Sequence, residues 1–171
     1  MKKLLLIILM LTITMTVKSE IITKDIEYKD GNTVLQGYLA YDNNNSNIRP
    51  GVLIVHQWKG LSDYEKMRAR MLAEMGYVAL AVDMYGKDVR PSSSEEAGKE
   101  AGKYYGDVNL MRERVNSGLT ELLKQEFVDK NKIAAIGYCF GGGVVLELAR
   151  SGAEINGVVS FHGSLSTPDP N

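Results

Sequence analysis

Two runs in which apolar and polar residues alternate, Ile21 to Tyr28 and Thr33 to Tyr41, predict a pair of half-buried strands. Lys29-Asp30-Gly31-Asn32 joins them, and Asp-Gly between such runs is a strong hairpin signal. After a polar surface turn from Asp42 to Asn47, closed by Arg49-Pro50, the period changes. Gly51-Val-Leu-Ile-Val-His56, Tyr77-Val-Ala-Leu-Ala-Val-Asp83, Ile133-Ala-Ala-Ile136 and Ile155-Asn-Gly-Val-Val-Ser-Phe161 are short, nearly continuous apolar runs, the pattern of strands buried on both faces. Helical spacings separate them. Tyr64, Met67, Met71, Leu72 and Met75 follow a cap at Ser62 or Asp63 and stop at Gly76, and the methionines are expected in the core. Leu110, Val115, Leu119, Leu122 and Leu123 share one face of a long helix opened by Asp107 or Asn109, and Val144 to Ala149 reads as a buried helix. Lys87 to Gly106 is charged and rich in Ser and Gly, an irregular excursion with a short helix near Glu95 to Tyr104 expected to cover the site.

Strands alternating with helices predict an α/β fold, a mainly parallel sheet with helices on both faces behind an N-terminal β-hairpin. In such sheets functional groups collect at the carboxyl ends of the strands. Those ends carry His56-Gln57-Trp58, Asp83-Met84-Tyr85, Cys139 and His162-Gly163.

Length and composition fit one domain: 171 residues, 44% hydrophobic and 24% charged. Met1-Lys2-Lys3 followed by an apolar run to Val17 has the layout of a secretory signal, short for a spanning helix and expected to be cleaved after Ser19, with an uncleaved membrane anchor as the rival reading. Residues 20–171 then form the domain, exported to the periplasm or medium and without a stable membrane partner. Without Lys2, Lys3 and Lys18, 17 basic residues face 21 acidic ones, a net charge of −4 with no basic stripe, which argues against nucleic acid. Cys139 is the sole cysteine, so an internal disulfide is excluded, and two distant histidines with one thiol give no metal site.

The chemistry concentrates at Gly137-Tyr-Cys-Phe-Gly141, set between a buried strand and a buried helix. This is Gly-x-nucleophile-x-Gly, the nucleophile-elbow pattern, with cysteine as the nucleophile. A strand reversing sharply into a helix brings backbone against backbone on both sides of the nucleophile, where a Cβ would clash. The turn lifts the Cys139 sulfur to a helix N-terminus, whose unpaired N–H groups favour the thiolate form. A structural cysteine in a glycine-rich turn is the rival reading. Dinucleotide binding at the same glycines fails, because that pattern needs glycine where Cys139 stands.

With His56-Gln-Trp-Lys-Gly-Leu61 and Val82-Asp-Met-Tyr-Gly86 in order before Gly137-Tyr-Cys-Phe-Gly-Gly142, the stretch from about Tyr38 to Leu165 resembles the dienelactone hydrolase family of α/β-hydrolases. The resemblance implies hydrolysis of small-molecule esters or lactones through an acyl-enzyme, by a Cys–His–Asp triad and without a cofactor. Cys139 would be the nucleophile, and the backbone N–H groups of Trp58 and Phe140 the oxyanion hole. Where several family members carry a glutamate on the resting thiol, this chain has Gln57, whose amide cannot take that proton and is expected to orient a water or a carbonyl. His56 and His162 are expected in packing or supporting hydrogen bonds, since His162 comes too early for the family's base. After Cys139 only Glu147, Glu154, Asp169 and His162 remain, so triad acid and base are expected to be absent and the fold's last strands missing. The alternative is a non-catalytic or redox-reactive thiol module on the same fold.

Overall fold

Alternation becomes a hairpin, and the continuous apolar runs become the centre of a sheet. In the computed structural model, which describes residues 20–44 and 47–169, β1 (Ile21–Asp30) and β2 (Thr33–Asp42) pair antiparallel across a two-residue turn. The turn is built on Gly31, whose φ of 54° suits glycine. The chain continues through β3 (Arg49–Val55), α1 (Asp63–Glu74), β4 (Val78–Val82), α2 (Ser94–Gly106) and α3 (Val108–Leu123). It then forms β5 (Val128–Tyr138), α4 (Phe140–Arg150) and β6 (Gly157–Phe161). One six-stranded sheet results, in the order β1-β2-β4-β3-β5-β6. β3, β4, β5 and β6 run parallel, and β2 joins β4 antiparallel. The expected signal segment lies outside the described residues. Among these, no helix is long and apolar enough to cross a membrane.

Alternate residues of the central strands face opposite layers. Leu53, Leu80 and Val82 pack with Val115, Leu122, Val144 and Leu148 beneath α3 and α4. Ile54, Ala79 and Ala81 pack with Ala69 and Ala73 of α1 on the other face. Met67 and Met71 of α1, and Met75 just after it, are not in that core: they are 37%, 43% and 71% exposed. The buried line of α1 is instead Glu65, Ala69 and Ala73, whose small side chains let the helix lie close on the sheet. Glu65 is buried because it closes a capping box, its carboxylate accepting from the Ser62 N–H at 3.0 Å and the Ser62 hydroxyl at 2.6 Å.

β5 begins five residues before the apolar run that predicts it, pairing Val128 with Arg49 ahead of a register shift at Pro50/Gly51. β6 forms one edge of the sheet among the described residues, and its Val159 and Phe161 are 49% and 44% exposed.

Candidate active site at the nucleophile elbow

Cys139 sits where β5 turns into α4, with φ 54° and ψ −113°. A positive φ in a non-glycine residue is a strained conformation that persists only when its surroundings enforce it. Here the enforcement comes from glycines on each side. A Cβ on Gly137 would lie 1.9 Å from the Gly141 carbonyl oxygen, and one on Gly141 would lie 2.3 Å from that of Val55. The Cys139 N–H donates to the Phe161 carbonyl at 2.9 Å, tying the elbow to β6, and its carbonyl accepts from the Gly142 N–H at 3.0 Å. The thiol is partly exposed.

Around it stands an aromatic wall. The buried Phe140 ring packs against Tyr85, Tyr104 and Tyr105 at centroid distances of 5.6, 5.8 and 5.6 Å. Burial raises the Tyr85 and Tyr105 hydroxyl pKa values. Burial likewise pushes Tyr104 up to about 12, with Arg114 opposing it. Tyr104 and Tyr105 come from α2, so the helix expected over the site does cover the elbow, and it runs a little longer than its sequence pattern suggests. The Tyr85 hydroxyl donates to the Trp58 carbonyl at 2.8 Å, fixing the half-buried loop after β3.

His56 is fully buried at the end of β3. Its Nε2 accepts from the Met84 N–H at 3.2 Å, which leaves the proton on Nδ1, 2.6 Å from the Gln57 carbonyl. Burial lowers its pKa, opposed by the Gln57 hydrogen bond and by Asp83 and Glu65, so the ring is neutral. With both nitrogens engaged it cannot act as a general base. Gln57 is half-buried and its N–H donates to Glu65 at 3.4 Å. His162 follows β6, exposed and with φ 49°. Cys139, Phe140, Trp58, Gln57 and His56 thus gather at one end of the sheet. Among the described residues no group of three or more His, Cys, Asp or Glu converges closely enough to hold a metal ion.

Several supporting residues carry no motif. Buried Arg114 of α3 donates to Asp30 at 2.7 Å, the Met84 carbonyl at 2.9 Å and the Tyr104 hydroxyl at 3.1 Å, clamping α2 and the loop after β4 together. Asp83 accepts from the N–H groups of Gln36, Tyr85 and Gly86, which makes it a structural bracket for that loop. A cavity of about 170 Å³ bounded by Tyr105, Met111, Gly143 and Thr167 flanks the site, but Cys139 does not line it.

Glu147 anchors the elbow helix. Its carboxylate lies 2.8 Å from both Arg112 and Arg150, and Arg112 reaches Asp169 at 2.6 Å. Burial pushes the Glu147 pKa up, but hydrogen bonds from Thr167, Arg150 and Arg112 outweigh it and hold the group below its ordinary 4.5. A carboxyl whose folded pKa is depressed stabilises the fold above its unfolded pKa, and that stability is lost as pH falls through the folded value. Glu147→Gln should therefore cost about 2 kcal/mol at pH 7. In urea titrations the gap from wild type should close as the pH drops below 4.5. A gap independent of pH would exclude the ion pairs as its source.

Residues 35–171 match the family model of the dienelactone hydrolase family. The solved structure of m3DLH is 37% identical, with a TM-score of 0.84 over 88% of this chain and 63% of that one. A dienelactone hydrolase-like promiscuous phosphotriesterase, P91 from metagenomic libraries, is 41% identical with a TM-score of 0.81, covering 85% of this chain and 60% of that one. A Saccharolobus solfataricus protein named after carboxymethylenebutenolidase is 25% identical over 85% of this chain and 68% of its own length. The chain thus spans under two thirds of both solved structures.

Proposed function

This chain belongs to the dienelactone hydrolase family, and on that premise we propose that it carries the nucleophile and oxyanion hole of a thiol hydrolase cleaving small ester or lactone bonds. The Cys139 sulfur attacks the substrate carbonyl carbon, its proton passing to solvent or a base. The carbonyl π electrons move onto oxygen, where the Phe140 and Trp58 N–H groups hold the charge. Collapse expels the alcohol and leaves a thioester on Cys139, which water then hydrolyses to the acid. His56 is not the triad base, since it is buried with both nitrogens engaged.

The observation that carries this reading is the left-handed backbone at Cys139, enforced by Gly137 and Gly141. A cysteine serving only to pack has no use for such strain. Iodoacetamide should label Cys139 in the folded protein, and prior exposure to an activated ester should protect it. Labelling only after denaturation would reduce Cys139 to a packing residue.

The N-terminal segment completes the proposal: the mature protein begins at Glu20 and is exported. N-terminal sequencing of material recovered outside the cytoplasm should start at Glu20, whereas an intact Met1 in the membrane fraction would mean a retained anchor.

A further inference from the structure

Building on the assignment of Trp58 N–H as an oxyanion donor, we infer that His56 is a positioning residue that locks the Gln57–Trp58 peptide plane and so aims that N–H before substrate arrives. The Gln57 carbonyl and the Trp58 N–H belong to one planar unit, so a hydrogen bond that fixes the first fixes the second. The Gln57 oxygen is held twice, by His56 Nδ1 at 2.6 Å and by the Gly60 N–H at 3.1 Å. The Gln57 N–H, one peptide earlier, donates to buried Glu65. Trp58 N–H itself donates to no other described residue, which leaves it for a ligand.

The imidazole suits this task because its own orientation is fixed. Met84 N–H occupies Nε2, so Nδ1 carries the proton. The ring lies edge-on to Tyr85 at 4.8 Å and stacks on Phe140 at 5.9 Å. Phe140 provides the second oxyanion donor, so one buried ring braces both. A donor set before the reaction stabilises charge without reorganising, and accepting a strong hydrogen bond at its carbonyl makes a peptide a better donor at its N–H. The loops after β3 and β4 are thereby linked to chemistry at the end of β5.

Two substitutions separate positioning from packing. In His56→Asn the side-chain amide can replace Nδ1 on the Gln57 carbonyl, whereas in His56→Gln it reaches the Nε2 position and serves only Met84. Pre-steady-state release of p-nitrophenol from p-nitrophenyl acetate gives a limiting acylation rate and a half-saturation concentration. His56→Gln should lower the rate about 10- to 100-fold with half-saturation unchanged, as expected for an interaction made in the transition state. His56→Asn should recover most of that rate. Equal losses in both variants, tracking their thermal midpoints, would leave His56 a packing residue. Should neither variant fold, 15N NMR of the wild type decides: the inference requires the Nδ1–H tautomer with a coupling across the bond to the Gln57 carbonyl, and the Nε2–H tautomer overturns it. A wild-type burst that survives Cys139→Ala would instead defeat the hydrolase reading, whatever the His56 variants do.

Discussion

Mixed with a p-nitrophenyl ester, the 171-residue chain should release p-nitrophenol once per molecule and then stall. Acylation needs a sulfur in line with the carbonyl and donors for the developing oxyanion, the roles proposed for Cys139 and for the Phe140 and Trp58 N–H groups. An activated phenolate leaves without protonation, so this half-reaction proceeds without a base. Deacylation does not, because water must be activated and a positioned base contributes about 10²- to 10⁴-fold. The buried His56 is spent on Met84 and Gln57. Cys139→Ala should abolish the burst entirely. Sustained Cys139-dependent turnover would show that a base is present, with the exposed His162 the first to replace.

Gly141→Ala should cost about 3 kcal/mol or more, or prevent folding, as forced overpacking does. The added methyl would meet the Val55 and His56 carbonyl oxygens at 2.3 and 2.6 Å. Val55 is held in register with both Val82 and Gly137, so it cannot retreat without breaking the central ladder. Gly102→Ala is the matched control: it lies in α2, nothing approaches within 4 Å, and the change should be neutral or stabilising by up to about 1 kcal/mol. Thermal or urea unfolding of the pair reads the difference. Equal stabilities would mean that α4 can slide away from β3 at little cost.

What the sequence made legible follows from what is local. The hairpin, the buried strands and the elbow each announce themselves within about ten residues, through alternation, continuous apolarity and glycine spacing. The buried face of α1 did not, because Met67, Met71 and Met75 also recur at helical spacing while the true contact line is Glu65, Ala69 and Ala73. The Ser62-x-x-Glu65 capping box was the available sign that this glutamate is held at the helix start. The polar run Asp129 to Lys132 hid the first half of β5, which pairs before a register shift. Arg114 could not be read at all, since its partner Asp30 is 84 residues away and only the packing of α3 on the hairpin brings them together. His56 was visible at a strand end, but its hydrogen bond to the loop and its tautomer depend on Met84, 28 residues later.

Mass spectrometry of the protein after exposure to p-nitrophenyl acetate tests the central claim most directly. The expected result is a stable gain of one acetyl group, mapped to the peptide containing Cys139 and absent from Cys139→Ala. An unmodified Cys139 beside released p-nitrophenol, or acetylation confined to surface lysines, would contradict a nucleophilic role and leave Cys139 a reactive thiol without acyl-transfer chemistry.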